Sequence, residues 1–133
     1  MAGTYSQIYL QVVIVVKGRQ SLLHKEWRQE VFKYMASIIT DKGHKSIIIN
    51  GVEDHVHLFI GLKPAMTLSD LMRFVKSNSS KFINEKKWLR CKFSWQGGYG
   101  AFSYSRSHIE RVYQYILNQE KHHEKETFQQ DSM

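Results

Sequence analysis

Apolar and polar positions change their period along this chain, and each change marks an element. Tyr5 to Val16 is rich in β-branched and aromatic residues and predicts a long strand. Its unbroken apolar stretch, Val12 to Val16, is far too short to cross a membrane. Lys17-Gly18-Arg19-Gln20 reads as a turn. From Ser21, a candidate cap, the period becomes helical to about Thr40, with Trp27, Val31, Tyr34 and Ile38 on one stripe. Asp41-Lys42-Gly43 ends that helix, and Gly43 suits the left-handed position beyond it. His44 to Asn50 and Glu53 to Leu62 predict two strands joined by a hairpin-type turn at Asn50-Gly51. Pro64 breaks the chain. Thr67 or Ser69 can cap a second helix striped by Leu68, Leu71, Met72, Val75 and Phe82. Lys86 to Gln96 is basic and without period. Tyr99 to Ser105 predicts a fourth strand, and Ser107 caps a third helix ending near His123. Glu124 to Met133 reads as a polar tail.

The order is βαββαβ followed by a helix. It predicts an α+β fold, a ferredoxin-like plaited antiparallel sheet with an additional C-terminal helix. One domain over residues 1–133 is expected, with its core at 5–123 and the tail at 124–133. No internal repeat, linker or low-complexity tract interrupts it.

Composition narrows the chemistry. A hydrophobic content of 42% is enough for one core. Cys91 is the only cysteine, which excludes an intrachain disulfide and a finger-type zinc site. With no signal-peptide pattern at the N-terminus, a reducing cytoplasm and no membrane partner are expected. A formal charge of +7 fits either a polyanionic partner or a merely soluble basic surface. An aromatic content of 13% turns the balance toward nucleic acid, because exposed rings stack on unpaired bases. Arg73, Lys76 and Lys81 lie off the second helix's apolar stripe. Lys86, Lys87, Arg90 and Lys92 form a basic loop with Trp88 and Trp95. Both are candidate DNA-binding surfaces.

Two motifs carry candidate chemistry. Residues two apart on a strand share a face, so His55 and His57 project together while Asp54, Val56, Leu58 and Ile60 take the other face. Two neutral imidazoles side by side can hold one cation, or can simply hydrogen-bond at a sheet surface. A histidine-triad nucleotide hydrolase needs a third histidine at the next alternate position, where this chain has Phe59. A metal hydrolase using water needs carboxylates nearby, and Glu53 alone is in phase. In the third helix Ile109, Val112, Tyr113, Ile116 and Leu117 share one face. Tyr115 stands about 130° from the centre of that face, and Gln119, one turn on, is about 40° around from it. An aromatic on the wet side of a helix is either a surface or subunit contact, or a nucleophile beside an amide oxygen.

These residues resemble the single-tyrosine HUH transposases, the small transposases of bacterial insertion sequences that move as single-stranded DNA, and their repeat-associated relatives. His55-Val56-His57 fits the histidine, bulky apolar, histidine motif. Gly98-Tyr99-Gly100-Ala101-Phe102-Ser103 is similar to the segment before the tyrosine helix. Tyr115-Ile116-Leu117-Asn118-Gln119, followed by His122-His123, is similar to the tyrosine motif, and Lys17-Gly18-Arg19 to the basic turn after the first strand. The resemblance implies Tyr115 as nucleophile and His55, His57 and Gln119 as ligands of Mg2+ or Mn2+. It implies cleavage and rejoining of single-stranded DNA through a 5′-phosphotyrosine, with hairpins near element ends as partners. It also implies a homodimer with composite active sites, in which the tyrosine acts on its own or the partner's histidines. A histidine frequent in the family's first strand is replaced by Tyr9 and Gln11. The alternative is a non-catalytic or domesticated module that binds single-stranded nucleic acid on the same fold.

Overall fold

The computed structural model describes residues 7–122. The expected strand start at Tyr5, the helix end at His123 and the polar tail lie outside the described residues. The elements are β1 (Ile8–Val15), α1 (Arg28–Asp41), β2 (Lys45–Gly51), β3 (His55–Leu62), α2 (Leu68–Lys86), β4 (Gly100–Tyr104) and α3 (Ile109–Leu117). The four strands form one sheet in the order β2-β3-β1-β4, every pairing antiparallel. This is the α+β plait that the sequence predicts, with two crossover helices and a third helix after β4.

Strand alternation gives the sheet two different faces. Val12 and Ile14 of β1 and Val56, Leu58 and Ile60 of β3 are fully buried beneath α1 and α2, among Val31, Met35, Leu71 and Val75. On the opposite face α3 lays Val112 and Ile116 against Phe59. It covers β2 and β3 and leaves β4 exposed, with Phe102 56% accessible.

Several local expectations are corrected. α1 begins at Arg28, not Ser21, and buries Val31, Phe32, Met35 and Ile39. The helix meets two neighbours, the sheet and α2, so Tyr34 and Trp27 serve the second seam. Tyr34 stacks on Phe82 with ring centroids 4.3 Å apart, and Trp27 on Trp88 at 4.6 Å. Trp88 and Trp95 are therefore packing residues and not free platforms for bases. Trp95 is 9% exposed and donates its indole N–H to Ser79 Oγ at 3.0 Å. Lys86 ends α2 and does not belong to the following loop. Thr67 caps α2, accepting from the Asp70 amide at 3.1 Å. Ser107 does not cap α3, because a 3-10 turn over Arg106–His108 intervenes.

Asn50-Gly51 is not the turn. β2 runs through both residues, pairing Asn50 with His57 and Gly51 with Val56, and the chain reverses over residues 52–54. Gly51 is needed for close approach. A Cβ there would fall on the His55 carbonyl oxygen and 2.9 Å from Val56 Cα. Gly51→Ala is therefore expected to destabilise the fold by about 1–3 kcal/mol through backbone displacement at the hairpin. Urea unfolding checks this; an unchanged midpoint would mean that the hairpin relaxes freely.

Candidate active site

β3 is the strand from which the site is built. Its register sets His57 between Val13 of β1 and Asn50 of β2, on the α3 face. His57 is 9% exposed and its Nδ1 lies 2.6 Å from Gln11 Oε1. The Gln11 amide nitrogen in turn donates to the Tyr104 hydroxyl at 3.1 Å. With Oε1 accepting, His57 carries its proton on Nδ1 and presents Nε2 with a free lone pair. Burial first, and the neighbouring His55 second, pull the His57 pKa down to about 4. The ring is thus neutral at physiological pH, the form that ligates cations.

His55 repeats the arrangement with a different acceptor. Its Nδ1 lies 2.7 Å from Asp54 Oδ1, and the two imidazoles stand 5.2 Å apart at 68°. Asp54 was expected to face away, by strand alternation. β3 begins only at His55, so alternation does not govern Asp54, and its carboxylate turns back onto the ring. Orienting one imidazole nitrogen with an acceptor is how proteins aim the other at a metal.

α3 brings the remaining residues. Tyr115 is 45% exposed, as its place on the wet side of the helix predicts, and its ring lies 6.2 Å from that of His57. His122 stacks on the phenol at 4.7 Å. Gln119 is 3% exposed and donates from Nε2 to the Tyr115 carbonyl at 3.3 Å, leaving Oε1 as its acceptor end. His55, His57, Tyr115 and Gln119 line one pocket of about 280 Å³ together with Val13, Arg19 and His122. All four predicted site residues are brought together within a single chain.

Two clamps hold this arrangement. Asn50 Nδ2 donates to the Ile116 carbonyl at 3.0 Å and the Leu117 carbonyl at 3.2 Å, satisfying acceptors in the last turn of α3, just before Gln119. The buried Arg28 donates to Glu120 at 2.6 Å and to the Leu23 carbonyl at 3.2 Å, tying the segment after α3 to the start of α1. Only Arg28 of the pair is buried, so removing Glu120 would leave that guanidinium without its carboxylate.

The donor set is two imidazole nitrogens and one amide oxygen. It suits a divalent cation that completes its shell with water or substrate oxygens, because it cancels none of the cation's charge. Among the described residues no group of three or more His, Cys, Asp or Glu converges at one point, and the amide of Gln119 is the further donor in the histidine pocket.

The predicted DNA contacts lie elsewhere. α2 is on the other side of the sheet from the histidines. Arg73 pairs with Asp70 at 3.0 Å, Lys81 with Glu85 at 4.0 Å and Lys86 with Glu30 at 3.4 Å, while Lys87 and Arg90 are exposed. Lys76 holds the carbonyls of Gln96 and Gly98 at 2.7 and 2.8 Å, and desolvation lowers its pKa. Gln11, Asn50, Arg19 and Arg111 also belong to the site, although the sequence motifs do not include them as site residues. Gln11 carried a usable signal, a long polar side chain within an apolar strand. Arg19 sits at positive φ (54°) in the turn after β1, a strained conformation for a residue with a Cβ, and its side chain lines the histidine pocket.

The chain matches the family described as Transposase IS200 like over residues 4–119. Among solved structures it is similar to a protein assigned as a transposase from Deinococcus radiodurans R1, at 22% identity and a TM-score of 0.68, covering 90% of this chain and 95% of that one. It is also similar to a REP-associated tyrosine transposase bound to a REP hairpin, at 14% identity and a TM-score of 0.64, covering 89% and 70% respectively. No curated protein matches. No helix among the described residues is long and apolar enough to cross a membrane.

The His57 environment generates a pH prediction. The folded chain holds this ring below its usual value of 6.5, so on acidification the unfolded chain takes up the proton first. Stability from the neutral ring is complete above about pH 6.5 and is lost as pH falls toward 4. NMR titration should find the His57 ring titrating near 4, with its proton on Nδ1 at neutral pH. A midpoint near 6.5 would refute the buried neutral imidazole.

Proposed function

Because this chain belongs to the IS200-like transposase family, we propose that it cleaves and rejoins single-stranded DNA with Tyr115 as nucleophile. The observation that carries the reading is the meeting of Tyr115 and Gln119 with the His55–His57 pair in one pocket. In the proposed step the phenolic oxygen of Tyr115 bonds to the scissile phosphorus. The bond to the 3′ oxygen breaks, and that oxygen leaves with a proton as a free 3′-hydroxyl. The product is a 5′-phosphotyrosine. It keeps the energy of the phosphodiester, so attack by another 3′-hydroxyl rejoins strands without ATP.

His55 Nε2, His57 Nε2 and Gln119 Oε1 are the proposed ligands of Mg2+ or Mn2+. Bound there, the cation would polarise a phosphoryl oxygen and stabilise charge developing in the transition state. Gln11 and Asp54 orient the two rings, and Arg19 adds a positive charge at the pocket wall. His122 holds the phenol against rotation by stacking. Phenols ionise only near pH 10, so positioning and charge stabilisation have to supply the reactivity.

Arg73, Lys76, Lys81, Lys86, Lys87 and Arg90 are proposed to follow phosphates of the bound DNA away from the reacting segment, with hairpins as the DNA partner. Lys76 contributes chiefly by holding the Gln96–Gly98 loop. In a homodimer the pocket is built twice, by each chain alone or by exchange of α3.

The test is incubation of the full chain with single strands from the DNA flanking its gene, with Mg2+, on a denaturing gel. A covalent adduct is expected from the native protein and none from Tyr115→Phe. Free 5′-phosphate ends without an adduct would instead mean hydrolysis by water, and binding without cleavage would mean a non-catalytic module. Gln11→Leu should reduce Mn2+ affinity by about 10- to 100-fold, read by calorimetry without DNA. Unchanged affinity would remove Gln11 from the metal site.

A further inference from the structure

The half of the α3 face that α3 does not cover is occupied by a second pocket of about 380 Å³. Its floor is Val13 and Phe102, the latter set opposite Gln11 by the β1–β4 register. Its walls include Tyr104, Val112 and the ring of Tyr115, and Arg111 also lines it. Val13 lines this pocket, the histidine pocket and a third hollow bordered by Gln96 to Gly100, so the three join into one trough across β1. Among the described residues no carboxylate lines that trough, whereas Arg111 and Arg19 both do, Arg19 standing 4.0 Å from Asp54 behind His55. Arg111 makes no ion pair among the described residues.

We infer that this pocket is a subsite for one unpaired nucleobase of the reacting strand, stacked on Phe102 and adjoining the phosphate presented to Tyr115. The inference rests on the strand-cleavage reading and extends it to how the strand is held. An apolar surface alone does not select an occupant, but this one has an aromatic floor and the Arg111 cation at its rim, with no acid among its described lining residues. That combination matches a planar base attached to a phosphate. The Tyr104 hydroxyl already accepts from Gln11, so its own proton is available to an acceptor on the base edge. Because His57 and Tyr115 line both pockets, a base seated here fixes which phosphodiester lies over the histidine pair. The subsite makes Phe102 a positioning residue for the reaction.

Anisotropy of the full chain with a labelled oligothymidylate, and with an abasic strand of equal length and charge, tests the inference. The native protein should prefer the strand with bases. Phe102→Ala should weaken that strand by roughly tenfold and leave the abasic strand unchanged, and Phe102→Trp should keep the preference. A Phe102→Ala protein that keeps the native preference, or that loses both strands equally, overturns the subsite. So does conversion of a dimer to a monomer by Phe102→Ala with the preference intact, which would make this surface a contact with a second copy. Adduct formation is scored separately. No adduct with the Phe102 effect present removes the tyrosine chemistry and keeps the subsite; an adduct without the Phe102 effect does the reverse.

Discussion

The docking of Val112 and Ile116 on Phe59 is the contact on which the site depends. α3 has nine residues, too few to be stable as an isolated helix in water. Burying these side chains contributes on the order of 1.5–3 kcal/mol each, enough to hold it on the sheet. Because Phe59 follows His57 at the next position on the same face of β3, the same contact that anchors α3 desolvates His57. It also sets the wet side of α3 beside the imidazoles. One apolar contact thus positions Tyr115, Gln119 and the histidine pair together.

A buried polar group without a partner costs about 1–3 kcal/mol, so the residues around such a site are constrained to satisfy one another. That constraint is met through a chain from His57 to Gln11 to Tyr104, and through Asp54 beside His55. Both imidazoles are fixed by their Nδ1 atoms, so the proposed binding of a cation or phosphate would need no reorganisation of either ring. Preorganisation of this kind is worth more inside a pocket than in water, because the surrounding dielectric is lower. Asn50 and the Arg28–Glu120 pair extend the same economy of motion to the helix, holding the segment that carries Gln119.

The strand and helix order, and the common face of His55 and His57, were legible in the sequence because they follow from backbone periodicity. The outward place of Tyr115 was legible for the same reason. Features that depend on what an element packs against were not. The α1 stripe was placed only in part, because Val31 and Trp27 are buried in the core while Tyr34 stacks on Phe82 of α2 and Met35 and Ile39 take the sheet side. Trp95 looked like a free ring until Ser79 and the core enclosed it. Asp54 was assigned by strand alternation to the wrong side, since one residue decides whether alternation applies. Gln11, Asn50 and Arg111 act only through register and tertiary approach, which no local pattern encodes. Arg19 depends on the strained turn at residues 17–19, of which only the basic character was visible.

Paramagnetic NMR with substoichiometric Mn2+ tests most directly whether α3 and the histidine strand form one metal-bearing site. The account predicts that the His55 and His57 rings, the Gln119 side-chain amide and the Tyr115 ring broaden first, while residues on the solvent side of α2 stay sharp. Broadening of the histidines with Gln119 and Tyr115 unaffected, or broadening centred elsewhere, would contradict it.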